Sequence, residues 1–598
     1  MGLLQNACET YDAMAHRAGI VYEGEAEPLA PISHIMARAQ IEITLNQNGS
    51  FVSARSLDKN ELKIIIPVTE ESSGRTSAPC AHPLCDGLGY VTPHDAKKHD
   101  LYVNALTDWA NSVHTHPKLL PILNYIRSGT ILTDLSKSGL IQLAPEGGPK
   151  DEKLIVRWVV NGLGEDISGP CWEDQTLMQA YINYITANRS NIPPVLCMIS
   201  GKLDTPASQH PKGIVPANGN AKLISANDSS GFTYRGRFTE DWQAAAVGYS
   251  TSQKVHSALR WLIVNQGVPF GGRTFLCWNP HGIKIPPVTG PMSRRSGNSE
   301  RAATPSQYQQ QLYETLSGWK IDLPAQEGVV IAAFDAATTG RLAVTYYNEL
   351  LASDFLDRLC YWDASCCWGN GPYGIQSPSL YQLASWAFGT PRNGKIEIDD
   401  RILAQQMQRL VACRVDKAPF PLDMERALVE KASHLLLYEI ENRRKLLFTA
   451  CAAIRKYHYD HLKEEWDMAL DKNCSDRSYL FGRLLAVADA LENSTYTDED
   501  RRETNAIRMQ KAFTLRPMAT WRALWDKLRP YAKRLAQSKP GLYRYYQNTI
   551  DEILGRFSPS DDTLNQKLDD IYLLGYSHQR SYRTEKSAEQ EIEDKGDV

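Results

Sequence analysis

The chain has 598 residues, of which 42% are hydrophobic and 22% charged, and its formal net charge is −4. These values are ordinary for a globular protein, and they exclude a collagen-like, coiled-coil, extensively disordered or disulfide-rich chain. The near-neutral charge excludes a uniformly basic nucleic-acid coat, although it allows local basic patches. Composition therefore leaves the function open.

The compartment is indicated by what the sequence lacks. The first residues have no signal-peptide pattern, and no apolar run reaches the ~18 residues that span a bilayer. We therefore expect a cytoplasmic protein without membrane association, in which the thiols are reduced. The twelve cysteines also form no Cys-x-x-Cys pair. Cys80, His82 and Cys85 lack a second ligand pair at zinc spacing, so no metal or other cofactor is predicted.

Strand patterns dominate the first part of the chain. Residues 41–45 alternate between apolar and polar with period two, and residues 154–160 form an apolar run typical of a buried strand. Residues 329–334 and 341–347 flank a Thr-Thr-Gly segment and predict a strand pair. With helical stretches between them, these strands predict an α+β fold for residues 1–347.

The last third of the chain is typical of helices. Residues 401–598 contain only 5 of the 39 glycines and 6 of the 32 prolines, so turn signals are rare there. Leu480, Leu484 and Val487 recur on one helical face. We predict a helical connector over residues 348–467 and an all-α C-terminal bundle over residues 468–598.

Catalytic signatures are absent from the sequence. It contains no Walker A, HExxH, GxSxG or kinase motif. The dipeptide His99-Asp100 and the pair His114 and His116 are scattered, whereas metal-dependent hydrolysis needs several placed ligands. No catalytic residue is predicted, and a metal-dependent nuclease is the weaker alternative.

One stretch near the C-terminus is both basic and aromatic. Residues 527–549 contain six basic residues, four tyrosines and no acidic residue. Cations can contact phosphates while tyrosine rings accept unstacked bases, which is typical of single-strand binding grooves. The other interpretation is an ordinary exposed helix with its tyrosines in the core. The residues predicted here to contact a nucleic-acid backbone are Lys527, Arg529, Lys533, Arg534, Lys539 and Arg544.

Two polar loops in the first part also have the composition of ligand-binding loops. Residues 212–222 combine lysines and asparagines with glycines, which let a backbone approach a ligand closely. Asn and Lys side chains can contact acceptors in the minor groove. Residues 71–79 are rich in hydroxyl groups and contain Arg75, so phosphate contact is one interpretation. A plain surface loop is the other interpretation of both segments.

Short motifs spread over most of the chain match, in order, those of one family. They are residues 74–77 (Gly-Arg-Thr-Ser), 86–91 (Asp-Gly-Leu-Gly-Tyr-Val), 210–227, 249–262, 341–344 (Arg-Leu-Ala-Val) and 479–487. The chain thereby resembles the large subunit of the type I-C CRISPR interference complex, Cascade. The resemblance implies a non-catalytic subunit of an RNA-guided complex.

In such a complex, the guide RNA reads the target by base pairing, and the protein reads a short flanking motif (PAM) in duplex DNA. The large subunit is expected to help unwind the target, form the R-loop and stabilise the displaced strand. The implied partners are the CRISPR guide RNA, double-stranded target DNA, the backbone and handle-processing Cascade subunits, and a recruited helicase–nuclease. The family also makes a small subunit by internal translation, for which Met468 or Met424 is the candidate start.

The resemblance also assigns residues. Residues 1–347 are expected to hold the RNA 5′ handle and the PAM duplex. Residues 468–598 resemble the small subunit and are expected to bind the displaced strand. The expected PAM contacts are Asn218, Asn220, Lys222 and Asn227, with Gln243 as a candidate wedge. The residues expected to contact a nucleic-acid backbone in the first part of the chain are Arg75, Thr76, Lys212, Arg235 and Arg237. A generic RNA-binding scaffold without PAM preference is the remaining alternative.

Overall fold

The computed structural model divides into two compact units, each of which is built from two separate stretches of the chain. The first unit contains residues 1–283 and 328–349, and the second contains residues 284–327 and 350–598. The structure describes residues 2–75, 78–145, 147–165, 167–225, 238, 243, 245–292, 301–338, 340–497, 502–558 and 562–582.

The first unit mixes helices and strands. Its helices are α1 (Leu3–Ala13), α2 (Glu70–Gly74), α3 (Leu88–Val91), α4 (Ala96–Ala110), α5 (Leu119–Ser128), α6 (Ile131–Lys137), α7 (Gln175–Arg189) and α8 (Tyr249–Gln266). Its strands are β1 (His34–Arg38), β2 (Ile41–Asn46), β3 (Phe51–Ser56), β4 (Lys63–Pro67), β5 (Val156–Asn161), β6 (Gly169–Pro170), β7 (Val195–Leu196), β8 (Leu203–Asp204), β9 (Val268–Phe270), β10 (Arg273–Trp278), β11 (Gly328–Thr338) and β12 (Arg341–Leu351), which ends two residues inside the second unit.

Two four-stranded sheets organise this unit. One has the order β3-β2-β5-β6, in which β2 and β5 are parallel, and the other has the order β12-β11-β10-β9. Strand β2 buries Ile41, Ile43 and Leu45 and leaves the alternate side chains half-buried, because successive strand residues point to opposite faces. Strand β5 also buries Arg157, whose Nε donates to Glu42 at 3.0 Å.

Each sheet packs its apolar face against helices. Trp158 of β5 shares a core with Trp109 of α4 and Tyr125 of α5. The second sheet buries Trp278 and Phe334 against Leu259 and its neighbours on α8. Burial of such large side chains stabilises each core by about 1.5–3 kcal/mol per residue.

The second unit is mainly helical. Its helices are α9 (Pro305–Asp322), α10 (Ala352–Ser365), α11 (Leu380–Phe388), α12 (Asp400–Val415), α13 (Leu422–Ala432), α14 (Ile440–Tyr457), α15 (Arg477–Asn493), α16 (Asn505–Leu515), α17 (Pro517–Ser538) and α18 (Pro540–Leu554). Short strands pair as β13 (Trp368–Gly369) with β14 (Ile375–Gln376) and as β15 (Thr390–Arg392) with β16 (Lys395–Glu397). Residues 572–582 are also helical. The predicted mixed α/β character and helical C-terminal region are confirmed.

None of the helices in the described parts of the chain combines the length and apolar character that a membrane span requires.

Candidate nucleic-acid interface

The loop of residues 212–222, here called the glycine loop, is closed at its base by backbone pairing. Lys212 forms an antiparallel bridge with Lys222, and Gly213 N donates to Ala221 O at 3.1 Å. Gly213 has a φ of +76°, a left-handed conformation that strains residues with a Cβ atom. Lys222 then joins the sheet, because Leu342 N donates to its carbonyl oxygen at 3.0 Å. The loop is therefore an ordered extension of the β12 edge.

The two asparagines of the glycine loop have different environments. The Asn218 side-chain amide donates to Ala336 O of β11 at 2.9 Å, and the residue is half-buried. Asn220 is exposed and has no hydrogen-bond partner among the described residues. Asn218 thus fixes the loop to the sheet, whereas Asn220 stands at the tip with its amide free for a ligand.

Two lysines lie side by side beneath this tip without a counter-charge. Lys212 and Lys222 are both half-buried, and no carboxylate pairs with either among the described residues. Burial lowers the pKa of both amines, and Lys222 and Arg75 lower the pKa of Lys212 further. Like charges opposite each other on paired strands are destabilising. This lysine pair is therefore a candidate site for an anion.

The loop after α2 reaches the lysine pair. Lys212 Nζ donates to Arg75 O at 3.2 Å. A Cβ atom at Gly74 would lie 2.6 Å from Gln209 Oε1 and 4.0 Å from Lys222 Nζ. The Gly-Arg motif therefore lies close to Gln209 and to the glycine loop, and the two segments form one surface.

Arg75 itself is held inside the protein. Its guanidinium donates to both carboxylate oxygens of Asp86, at 2.7 and 2.6 Å, and to Cys80 O at 2.6 Å. Asp86 is fully buried, and the Arg75 guanidinium also lies over the Tyr90 ring. Burial lowers the pKa of Arg75, but the Asp86 carboxylate outweighs it and leaves the pKa raised. Arg75 thus orders the Asp86–Tyr90 segment.

Several predicted contacts lie outside the described residues. They are Thr76, Asn227, Arg235 and Arg237. Gln243 is described and half-buried. The described part of the first unit therefore brings Asn220, Lys212 and Lys222 together at one surface.

One residue that positions the glycine loop escaped sequence reasoning. Arg260 of α8 donates to Gly213 O at 2.7 Å and forms an ion pair with Glu27, 2.9 Å away. It therefore ties the loop base to the Glu27 segment, 186 positions before Gly213 in the sequence. No local motif marks it, because its neighbours Leu259 and Trp261 belong to an ordinary amphipathic helix.

The basic stretch of the second unit lies on the exposed sides of α17 and α18 and at the residue between them. Helix α17 buries Trp521, Leu524 and Leu528 and exposes the opposite side, which the 3.6-residue helical repeat separates from the buried stripe. All six predicted cations are exposed: Lys527, Arg529, Lys533, Arg534, Lys539 and Arg544. Arg529 pairs with exposed Asp526 at 3.1 Å, and no described carboxylate pairs with the other five. We call these six residues the basic face.

The tyrosines of this stretch are divided between core and surface. Tyr546 is buried, and its hydroxyl lies 2.9 Å from Ser494 Oγ. Tyr531 is half-buried and packs edge-on against Tyr496, with Arg502 over both rings. Tyr546 therefore serves the core, while Tyr531 lies at the margin of the basic face.

The histidines considered for metal chemistry have local partners. His82 Nδ1 lies 3.0 Å from Ser72 Oγ, His99 Nδ1 lies 3.1 Å from Tyr90 O, and His116 Nε2 lies 3.0 Å from Thr176 Oγ1. Across the residues that the structure describes, no three His, Cys, Asp or Glu side chains are grouped as a metal ion needs. These histidines thus stabilise loops and helix ends.

The family comparison covers both units. The family model for the CRISPR-associated protein Cas_Csd1 matches residues 8–584. The chain belongs to the Csd1 family of CRISPR-associated proteins. Membership in this family confirms the predicted CRISPR role and places the lysine pair and the basic face in a CRISPR-associated protein. A comparison with curated proteins found no match.

Proposed function

We propose that this Csd1-family protein is the non-catalytic large subunit of a type I-C CRISPR RNA-guided surveillance complex. It recognises the PAM in double-stranded DNA, helps to unwind the target and form the R-loop, stabilises the displaced strand and recruits a helicase–nuclease. Base pairing with the guide RNA supplies sequence specificity, and the protein reads only the short flanking motif. The family membership supports the CRISPR context.

The lysine pair is the observation that carries the PAM proposal. Lys212 and Lys222 are half-buried, adjacent and without a described carboxylate partner. Desolvating two like charges is costly, and a phosphate placed between them offsets that cost. With Asn220 exposed beside them, the same surface can hold the DNA backbone and contact a base edge, the two kinds of contact that position and specify.

The basic face supports the contact with the displaced strand. Residues 505–557 contain eleven basic and three acidic residues, whereas the whole chain has a net charge of −4. Positive charge is therefore concentrated on the helices that carry the basic face. Such a surface can follow a single-stranded backbone without reading its sequence.

The PAM proposal is tested with Lys212→Ala and Lys222→Ala in the full chain assembled with guide RNA and partner subunits. Each variant should weaken binding to a PAM-bearing duplex and reduce the slope of log K against log salt by about 0.9, as one phosphate contact is lost. Lys59→Ala, an exposed lysine on the β3–β4 turn, is the matched control. An unchanged slope in both variants would contradict the proposal.

The non-catalytic role is tested by incubating the purified protein with labelled DNA, with Mn²⁺ or with EDTA. We expect no cleavage by this chain alone under either condition. Metal-dependent cleavage would establish a nuclease instead. A third outcome is that the protein binds guide RNA, but the assembled complex binds duplexes with and without a PAM equally tightly. That outcome would establish a generic RNA-binding scaffold.

A further inference from the structure

A small cleft opens in the first unit beside the lysine pair. Its volume is about 170 Å³, and it is lined by residues from positions 28–36, by Ser73, by the base of the glycine loop and by α8. Sites for drug-sized ligands occupy roughly 300–1,000 Å³. This cleft is therefore suited to a group of one or two rings. Lys212 lies on its wall and is shared with the anion site.

One wall of the cleft carries an unused hydrogen-bond acceptor. His256 of α8 is 3% exposed, and its Nδ1 lies 2.7 Å from Ser252 O, which can only accept. Nδ1 therefore holds the proton, and burial lowers the pKa of His256 to about 4, so that the ring is neutral. Its Nε2 lone pair has no partner among the described residues.

A second cleft residue carries an unused donor. The buried indole Nε1–H of Trp261, which also lines the cleft, has no described acceptor. An unpaired buried polar group costs about 1–3 kcal/mol. His256 and Trp261 both line the cleft while their unpaired nitrogens are buried, so a small side-chain shift that turns these atoms to the cleft would suit a ligand that supplies both a hydrogen-bond donor and a hydrogen-bond acceptor.

The charged residues around the cleft exclude some classes of ligand. Arg260 is neutralised by Glu27, whereas Lys212 has no described carboxylate. A phosphodiester group has no proton to donate to His256 Nε2, and a divalent cation is repelled by the ammonium group of Lys212, which no described carboxylate neutralises. A nucleobase fits, because its edge presents donors and acceptors together while its phosphate remains outside.

We propose that this cleft holds one unstacked nucleobase whose phosphate lies on the Lys212–Lys222 pair. This inference rests on the proposed function and adds a base-binding subsite to it. The base comes from the guide RNA or from the target DNA, and the two arms of the experiment distinguish these sources. A base removed from its stack is held in this way wherever a protein supplies polar partners and a closed pocket.

The test is a 2-aminopurine scan in the assembled complex. The fluorescent base replaces each guide-RNA handle position in one arm and each PAM-proximal DNA position in the other. One position should fluoresce as an unstacked base. Ser257→Phe, which fills the cleft from α8, should abolish that signal and weaken binding of the strand that supplies the base about tenfold.

The controls separate this inference from the proposed function. Gln266→Phe adds the same side chain at an exposed position of the same helix and should leave the signal unchanged. His256→Phe, which keeps an aromatic ring but removes both ring nitrogens, should also abolish the signal in protein whose thermal unfolding matches the wild type. If no position in either arm responds to Ser257→Phe, the cleft holds only water, and the inference is wrong. Weaker duplex binding by Lys222→Ala would still support the proposed function.

Discussion

Asn218 and Asn220 are separated by one glycine, yet their side chains have different roles. The Asn218 amide reaches Ala336 O on β11, 118 positions away in sequence, while Asn220 faces solvent. Both residues fit the same sequence argument, since each offers an amide that can contact a base. Only the packing of the glycine loop against the sheet separates the structural amide from the free one.

We expect Asn218→Ala and Asn220→Ala to act on different quantities. Asn218→Ala removes a hydrogen bond to a buried strand carbonyl and should lower the free energy of unfolding by about 1 kcal/mol. Asn220→Ala should leave stability unchanged and cost the assembled complex about 1–3 kcal/mol of discrimination for the PAM. Urea unfolding and duplex binding measure the two effects. Equal stability loss in both variants would contradict this assignment.

At the scale of elements, α14 ends in a π-helical turn that carries a charged cluster. His458 lies between two carboxylates, with Nδ1 2.9 Å from Glu464 and Nε2 2.9 Å from Asp570. Burial alone lowers the pKa of His458, but Asp570 and Glu464 outweigh burial and raise it. Burial, with the Asp570 carboxylate adding to it, raises the pKa of Glu425 on α13 to about 8. The folded cluster thus holds protons that the unfolded chain releases.

This cluster predicts that stability falls as pH rises. Both folded pKa values lie above the unfolded values of 4.5 for Glu425 and 6.5 for His458. The contribution of each group is complete below its unfolded pKa and is lost as pH rises through its folded pKa. The free energy of unfolding should therefore decline from about pH 4.5 to about pH 8, the window set by Glu425, with His458 adding to the decline above pH 6.5, as measured by urea titration.

The matched variants are Glu425→Gln and Glu430→Gln. Glu425→Gln removes the titrating carboxyl and should flatten the decline. Glu430 is exposed on the same helix and pairs with Lys511, so Glu430→Gln should leave the decline unchanged. Identical pH dependence in the wild type and Glu425→Gln would show that Glu425 does not hold the proton.

The same elements bear on the two candidate internal starts, Met468 and Met424, that the resemblance implies. A chain that begins at Met468 lacks α13 and α14, which pair with the C-terminal segments through Ser433, Ala432 and Cys451. Tyr572 donates to Ser433 Oγ at 2.6 Å, Gln510 to Ala432 O at 2.9 Å, and Cys451 to Leu573 O at 3.6 Å.

We expect a fragment of residues 424–598 to unfold cooperatively and one of residues 468–598 to lack a cooperative transition. The shorter fragment leaves the buried Gln510 amide unpaired and exposes the apolar faces that α13 and α14 cover. Thermal unfolding followed by circular dichroism measures the difference, with the full chain as control. A cooperative transition at the same Tm in both fragments would contradict this expectation.

At the scale of the whole molecule, charge is distributed unevenly. The excess of eight positive charges over residues 505–557 leaves the rest of the chain at −12, since the total is −4. A near-neutral average thus contains a strongly positive helical surface and an acidic remainder. Under the proposed function, such a distribution would restrict nucleic acid to the positive surface and leave the remaining surface for protein partners.

Charge reversal on the basic face should therefore change salt dependence. The double variant Lys533→Glu/Arg534→Glu should weaken binding of the displaced strand and lower the slope of log K against log salt by about 1.4, at roughly 0.7 per single-strand phosphate. Arg401→Glu, an exposed reversal on α12, serves as control. A variant slope equal to that of the control would exclude phosphate contact at these positions.

The family, the periodic elements and the basic face all follow from local patterns in the sequence. Period two at β2 and the apolar run at β5 predicted buried strands, and the helical repeat of α17 separated its cations from its core. These properties depend on residues a few positions apart, whose relative directions are fixed by the backbone repeat.

The roles of the polar residues, by contrast, depend on contacts that form when the chain folds. It paired Arg75 with Asp86, bonded Asn218 to β11, placed Lys212 beside Lys222 and left His256 Nε2 unpaired in a cleft. Such roles depend on strand register and on packing between segments that can lie more than a hundred positions apart in the sequence. No local pattern encodes them, because a polar side chain's role is set by the partner that folding brings to it.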